Sequence, residues 1–373
     1  MAGALILGGG IAGSAAACLI ARAGTDAHLV EREAGPHHKV CGEFLSIETV
    51  KHLRQLGLDP PDLGAVPIER IRLVRGRMEV EAPLPFTALG LSRYALDEAL
   101  LGHARANGVK VEQGVRVLEL NGNTARTSRG EREGRHVLLA TGKLPVREQG
   151  AAAVGRAANG FIGFKMHYCL APPAAQRLAG TIVLALFDGG YAGLQMVEAG
   201  RANLCLVLRR QAFLDLGGDW QSLRGWLDES PHLRQMLADA EPLFERPATI
   251  ANLIYGLPSQ NSFEGPALRL GDRWAMTASL TGDGMAIALR SAFLAAQCIL
   301  AGEDMQAYHR RLAAQTHRQI RRAMLLQNAL NSPALRLAAC SLARLHPPLL
   351  TAAASATRLP EWDGGTPLPD QPA

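Results

Sequence analysis

Apolar residues change their spacing several times along this chain, and each change marks an element. "ALIL" at residues 4–7 and "AHLV" at 27–30 are short unbroken apolar runs, the second ending at Glu31. Runs without alternation fit strands covered on both faces, as in a parallel sheet. Between them residues 11–22 read as a helix, with Gly24 as its stop signal. "VLLATG" at 137–142 repeats the buried-strand pattern and ends in a turn. The middle of the chain differs. "IGFKMHYCL", "GTIVLALF", "GYAGLQMVE" and "ANLCLVLRR" read as successive antiparallel strands, punctuated at Gly180, Gly189-Gly190 and Gly200. "WQSLRGWLDES" and "PHLRQMLADA" read as helices. Residues 268–300 combine a strand, a Gly-Asp turn, a loop and a long amphipathic helix, and 303–355 read as helical throughout. The expected architecture is α/β. A nucleotide-binding domain spans 1–150 and 266–302, a sheet-with-helices domain is inserted at 151–265, and helices with a frayed Pro- and Gly-rich tail fill 303–373.

Composition narrows the class. Of 373 residues 48% are hydrophobic and 20% charged, the balance of a globular protein with one large or two joined cores. The net charge of +5 is spread along the chain without basic blocks carrying interleaved aromatics, so no nucleic-acid partner is expected. Six scattered cysteines form no CxxC pair and no zinc spacing, which suits a reduced compartment. The N-terminus has no basic region or cleavage site, and no apolar run is long enough to span a bilayer. A cytoplasmic location is expected. "RRLAAQTHRQIRRAML" is amphipathic and basic. The expectation is a helix packed on the domain with a solvated basic face, rather than a membrane contact.

The strongest chemical signal lies in residues 4–31. Gly8, Gly10 and Gly13 form GxGxxG between a strand and a helix. Gly8 permits the tight turn, Gly10 the approach of a pyrophosphate, and Gly13 with Ala17 the close packing of helix on sheet. Ile11 and Ala12 open the helix, whose free N–H groups and partial positive charge suit phosphate. Glu31 stands where an acid binds a free ribose 2′-OH. This points to FAD or NAD and away from NADP. Arg32 beside it and Val117 are further candidates for cofactor contact.

"LRLGDRWAMTASLTGDGM" carries a family resemblance. The chain resembles the FAD-dependent oxidoreductase superfamily that contains geranylgeranyl reductase-like flavoproteins and single-component FAD monooxygenases. The resemblance implies a Rossmann-like FAD domain of the GR2 type, with an inserted antiparallel-sheet substrate domain and a helical C-terminus. It implies that Asp272 of the Gly271-Asp272 turn binds the ribityl chain, and that Gly282, Gly284 and Met285 present backbone amides to the flavin. Arg93, in "SRYALDEALL", would approach the FAD phosphates or ribityl chain. Thr141 and Gly142 match the family's ATG turn. "KVCGEF" resembles the family's Cys-Gly loop, so Cys41 and Gly42 would lie near the flavin, with Cys41 lining the reaction cavity. Where the family has small residues after its GD turn, this chain has Trp274 and Met276, one of which is expected to narrow the substrate cavity beside the flavin. Tyr191 survives from the YxWxFP motif of geranylgeranyl reductases; its Trp, Phe and Pro do not, so a prenyl substrate is not implied. The WxWxIP motif of tryptophan halogenases is absent, and so is the Asp-Gly pair of the monooxygenases.

His167 is a candidate to face substrate from its strand. Glu43 and Glu198 are candidate proton carriers, with solvent exposure the commoner fate of such residues. His37-His38 read as a solvated loop rather than a metal site. Lys39 is the only cation near Cys41 in sequence. The expected function is an FAD-dependent monooxygenase acting on a hydrophobic aromatic or polyketide-like small molecule. The alternatives are reduction of a carbon–carbon double bond and a flavin-binding protein without turnover. NADH or NADPH is a candidate electron donor.

Overall fold

The computed structural model describes residues 1–143, 146–148, 160–256 and 267–362. The domain boundaries expected at 150/151 and 265/266, and the end of the tail, lie outside these residues. Two sheets organise the chain. The first has a parallel centre: Ala2–Leu7 lies between Ala27–Val30 and Gly130–Leu139, with Lys110–Glu112 beyond Ala27–Val30. Leu268–Arg269 adds to Gly130–Leu139 in parallel, and Thr124–Thr127 pairs with its start in antiparallel fashion. Ala4–Leu7 and Ala27–Val30 are buried throughout, as unbroken apolar runs in a covered parallel sheet should be. Helices Ile11–Arg22, Arg93–Ala106 and Gly284–Leu300 share one apolar core on this sheet.

The second sheet runs in the order Glu241–Pro242, Phe161–Cys169, Arg201–Arg209, Gly190–Met196, Gly180–Phe187, Val66–Arg75, Met78–Gly90, Phe44–Leu45. It takes in three strands between residues 44 and 90, which the hydrophobic pattern alone groups with the nucleotide-binding segment. The pairing is nonlocal: Val66–Arg75 lies parallel to Gly180–Phe187, more than a hundred residues away.

Both faces of this sheet are buried, for different reasons. Ile162, Phe164, Met166 and Tyr168 pack with Leu204, Leu206 and Leu208 against Trp226 and Leu233 of the small helices. Residues between them in sequence face the other way, because side chains alternate along a strand. Gly163, Lys165, His167, Tyr191, Gln195, Asn203 and Cys205 therefore turn toward the nucleotide-binding domain. At Gly163 a Cβ would stand 3.0 Å from Val40. The C-terminal helices close the structure. Met305–Asn331 packs on Gly284–Leu300, and Pro333–Leu345 and Pro348–Ala356 fold back over Met78–Gly90, where Thr351 Oγ1 donates to Pro83 O at 2.7 Å.

Candidate active site

A cavity of about 900 Å³ lies between the first sheet, the second sheet and the C-terminal helices. It is near the top of the roughly 300–1,000 Å³ range of ligand pockets. Gly8, Gly10, Ile11, Ala12, Glu31 and Arg32 line one end. Gly8 has φ +112°, and a Cβ on it would sit 2.4 Å from Ala140 O. Gly13 stands behind the wall: a Cβ there would be 1.9 Å from Gly8 O, so its role is to let the helix lie against the loop. Helices Ile47–Gln55 and Arg93–Ala106 are capped by Ser46 and Ser92, but Ile11–Arg22 has no side-chain cap and no acid in its first turn. Its first amides are left for an anion. Glu31 accepts the N–H of Gly9 at 2.5 Å and that of Glu33 at 2.9 Å. The carboxylate is thereby fixed, and its remaining lone pairs suit a ribose hydroxyl.

Val117, Thr141, Gly142, Gly271 and Asp272 line the adjoining wall. Gly271 has φ +55°, and its N–H donates to Ser291 Oγ at 3.0 Å, which holds the turn carrying Asp272. Gly282, Gly284 and Met285 follow at the start of Gly284–Leu300, a second helix without a side-chain cap. Two uncapped helix N-termini, a fixed acid and glycines that admit no Cβ fit the pyrophosphate, ribose and ring edge of FAD. Beneath the second N-terminus Asp283 is fully buried. It accepts from Gln319 Nε2 at 2.7 Å and pairs with Arg358 at 2.7 Å. Burial pushes its carboxyl up to about 7, against the opposing pull of Arg358. Arg358 also donates to Thr281 O at 2.6 Å, so the C-terminal segment latches the loop of Gly282.

The loop of Cys41, Gly42 and Glu43 lines the centre of the cavity. It is held from the second sheet. Asn203 Nδ2 donates to Cys41 O at 3.1 Å and Gly42 O at 2.8 Å, and Gln195 Nε2 donates to Glu43 O at 2.8 Å. Glu43 is fully buried, with φ +57°. Its carboxylate accepts from Arg93 N–H at 2.7 Å, pairs with Lys165, and meets His167 Nε2 at 2.7 Å. Burial alone would raise the Glu43 pKa, but the His167 hydrogen bond and the positive charge of Lys165 hold it below the usual carboxylate range. Glu43 is thus not the exposed residue that its type suggests. Glu198 is buried as well, and accepts from Ser92 N–H and Oγ at 2.7 and 2.6 Å, a structural brace at the start of Arg93–Ala106.

Arg93 lines the cavity, bound to Asp97 at 2.7 and 2.8 Å. Burial would lower its pKa, but Asp97 and the Cys41 sulfur beside it outweigh that and raise it. The cation next to Cys41 is therefore Arg93. Lys39, its neighbour in sequence, reaches Asp97 instead, at 2.7 Å. The Cys41 sulfur accepts the Glu43 N–H at 3.4 Å. Gly42 has an ordinary φ, and a Cβ on it would touch no atom of the described residues; the left-handed residue of this loop is Glu43.

Three sequence expectations are corrected. Trp274 does not narrow the cavity. It is buried in the core, donates from Nε1 to Thr316 Oγ1 at 3.2 Å, and stacks on His309 with ring centroids 5.4 Å apart. A short helical turn after Gly271-Asp272 swings it toward Met305–Asn331, a rotation that no strand or helix period foretells. His167 faces Glu43 rather than the cavity. His37 and His38 are half-buried cavity residues. His38 packs against Tyr94, Phe244 and His167, and burial with the nearby charge of Lys165 pushes its pKa down to about 4. Met276 and Tyr191 do line the cavity. Lys165, Gln195 and Asn203 went unnoticed in the sequence, although each is a polar residue at an inward position of an otherwise apolar strand. No three potential metal ligands cluster among the described residues.

Beyond the loop the cavity turns apolar. Ile182, Leu184, Leu73 and Val207 come from the sheet, and Leu330, Ala339, Ala343, Leu350 and Ala353 from the C-terminal helices.

Residues 1–139 match the family model described as FAD binding domain. Over 121 residues the chain is 31% identical to the menaquinone reductase of Mycolicibacterium smegmatis, covering 31% of this chain and 30% of that protein. Over 127 residues it is 31% identical to the menaquinone reductase of Mycobacterium tuberculosis, covering 33% of this chain and 31% of that protein. The matched stretch is thus under a third of these relatives' length. Three solved structures share the fold over nearly the whole chain. The flavin-dependent brominase Bmp2 superposes with a TM-score of 0.75 at 17% identity, over 95% of this chain and 93% of its own. The myxobacterial chondrochloren halogenase CndH gives 0.74 at 20%, over 96% and 91%. PqsL, a probable FAD-dependent monooxygenase from Pseudomonas aeruginosa, gives 0.69 at 17%, over 90% and 98%. Residues 1–139 accordingly form an FAD-binding domain, and the chain as a whole shares the fold of these solved flavin-dependent proteins.

Proposed function

We propose that this protein is an FAD-dependent monooxygenase that hydroxylates an elongated hydrophobic molecule. One observation carries the reading: the cavity that accepts the dinucleotide continues, past Cys41 and Tyr191, into an apolar arm between the second sheet and the C-terminal helices. Bound FAD supplies two-electron chemistry and, once reduced, reactivity toward oxygen. The chain supplies the rest. The arm excludes water from the reacting end of the substrate and aligns it by shape. At the junction Gln195 Oε1 is buried without a hydrogen-bond partner among the described residues, and Tyr191 contributes a buried hydroxyl. Gln195 Oε1 can accept from a phenolic hydroxyl of the substrate, and the Tyr191 hydroxyl can donate to a phenolic or carbonyl oxygen. Lys165, Asn203 and Gln195 fix the Cys41–Glu43 loop so that the wall opposite the arm does not move.

The test begins with the visible spectrum of the purified protein, followed by reduction with NADH or NADPH. Oxygen uptake should then rise with alkylated phenols and yield product with one added oxygen atom. Ala353→Phe should shift preference to shorter chains while the flavin spectrum is unchanged. Oxygen uptake without hydroxylated product from any chain length would defeat the reading.

A second reading, reduction of a carbon–carbon double bond, is favoured by one specific feature: the Cys41 thiol stands at the cavity wall, where a proton would be delivered. Anaerobic saturation of an alkene, lost in Cys41→Ser, would establish it over hydroxylation.

A further inference from the structure

Residues 305–360 hold eight arginines and no aspartate or glutamate, a local positive charge greater than the +5 of the whole chain. Arg311, Arg336 and Arg358 are paired with Glu303, Asp188 and Asp283. Among the described residues no carboxylate pairs with Arg318, Arg321, Arg322 or Arg344, and all four are exposed. Arg318, Arg321, Arg322 and Leu325 fall at i, i+3, i+4 and i+7 of the long helix and so share one face, with Leu325 69% exposed.

The next helix, Pro333–Leu345, buries only Arg336, Cys340 and Ala343. It leaves Leu335, Leu337, Leu342 and Leu345 in solvent, the last at 82% exposure. Arg322 Nη1 donates to Ala356 O at 3.0 Å, which joins the basic face to the end of Pro348–Ala356. Leu342 and Leu349 are both exposed and cavity-lining. The apolar arm therefore reaches the surface within this Leu- and Arg-rich patch. No helix among the described residues is long and apolar enough to cross a membrane.

We propose that the outer helices Pro333–Leu345 and Pro348–Ala356 dock on the surface of an anionic lipid bilayer, and that the cavity is loaded from that bilayer through the opening beside Leu342 and Leu349. Exposed leucines enter the headgroup–acyl boundary while unpaired arginines meet lipid phosphates, the combination of an interfacial rather than a spanning element. A bilayer suits the patch better than a protein partner for two reasons. The charge is all of one sign, and the apolar arm opens where dissolved apolar substrate would concentrate. The docking claim is independent of the reaction; the loading claim rests on the substrate arm assigned above.

The experiment is co-sedimentation of the FAD-loaded full chain with vesicles of mixed phosphatidylglycerol and phosphatidylcholine, against phosphatidylcholine alone. Binding should be stronger on the anionic vesicles by ~tenfold or more at low salt and fall as salt rises. Leu335→Ser/Leu345→Ser changes two exposed residues that do not line the cavity. It should lose ~tenfold in vesicle binding while keeping its flavin spectrum, its Tm and its turnover of detergent-dispersed substrate. Wild-type protein that stays in the supernatant with anionic vesicles would overturn the proposal, as would a double variant that binds as well as wild type. So would a concentration-dependent dimer abolished by the same two changes, since a second copy would then cover the face. Because sedimentation needs no turnover, failure of the monooxygenase reading would leave its result intact.

Discussion

Glu43 concentrates the costs of this site in one residue. Its backbone lies in the left-handed region at φ +57°, a strain of roughly 1–2 kcal/mol for a residue with a Cβ. Its buried carboxylate needs Lys165 and His167 to stay charged. Lys165→Met would strand that charge in the core and should cost about 3–5 kcal/mol, read as a drop in the denaturation midpoint. Acid titration tests the same pairing. The Glu43 pKa is lower in the folded state than its ordinary 4.5, so its contribution is present above that value and is lost as pH falls below it. Glu43→Gln should therefore be less stable at neutral pH but lose less on acidification, as followed by Tm against pH. Trp274 gives the contrasting case. With its ring stacked on His309 in the core, Trp274→Ala should cost about 3–5 kcal/mol and leave substrate choice unchanged in the folded fraction.

At the level of elements, what decides function is how closely backbones approach. Gly13 and Gly42 look alike in sequence, each a glycine in a segment that borders the cavity, yet they meet opposite surroundings. A Cβ at Gly13 would lie 1.9 Å from a carbonyl oxygen, so Gly13→Ala must push helix Ile11–Arg22 off its loop. Loss of FAD binding and a lower Tm are expected together. At Gly42 the protein leaves room. Gly42→Ala should keep the Tm of the flavin-free protein, and any fall in FAD affinity, measured by fluorescence titration, then reports the ligand's own need for that space. The helices Ile11–Arg22 and Gly284–Leu300 add the electrostatic half: both begin without side-chain caps, leaving their positive ends for FAD.

Across the whole molecule, the C-terminal helices connect the apolar arm to the loop of Gly282 and Gly284. Arg358 joins them by binding Asp283 and the carbonyl of Thr281 while lying over Phe86, 5.1 Å from the ring centroid. Arg358→Ala would leave Asp283 buried beside Glu48 with no cation. Its pKa should rise further, since the largest pull opposing burial would be gone. The loop of Gly282 and Gly284 should loosen, so FAD should dissociate faster on dilution, while Arg358→Lys restores part of the retention.

How much of this was legible beforehand follows from the range of the interactions. The strand–GxGxxG–helix–strand–Glu31 unit, the Gly271-Asp272 turn and the antiparallel strands of the middle segment are local patterns, and a local pattern is written in consecutive residues. The sequence by itself determined these, and with them the α/β class and the expectation of FAD. The cluster of Glu43, Lys165 and His167 unites residues more than a hundred positions apart, and the apolar arm is assembled from three strands and three helices. The strand period assigns Lys165 and His167 to one face but not to what that face meets. Only the tertiary structure decided that Glu43 would be buried, that Arg93 rather than Lys39 would stand beside Cys41, and that Trp274 would turn into the core. Each depends on how elements distant in sequence pack together, and that packing is settled by nonlocal burial and charge pairing rather than by any periodicity along the chain.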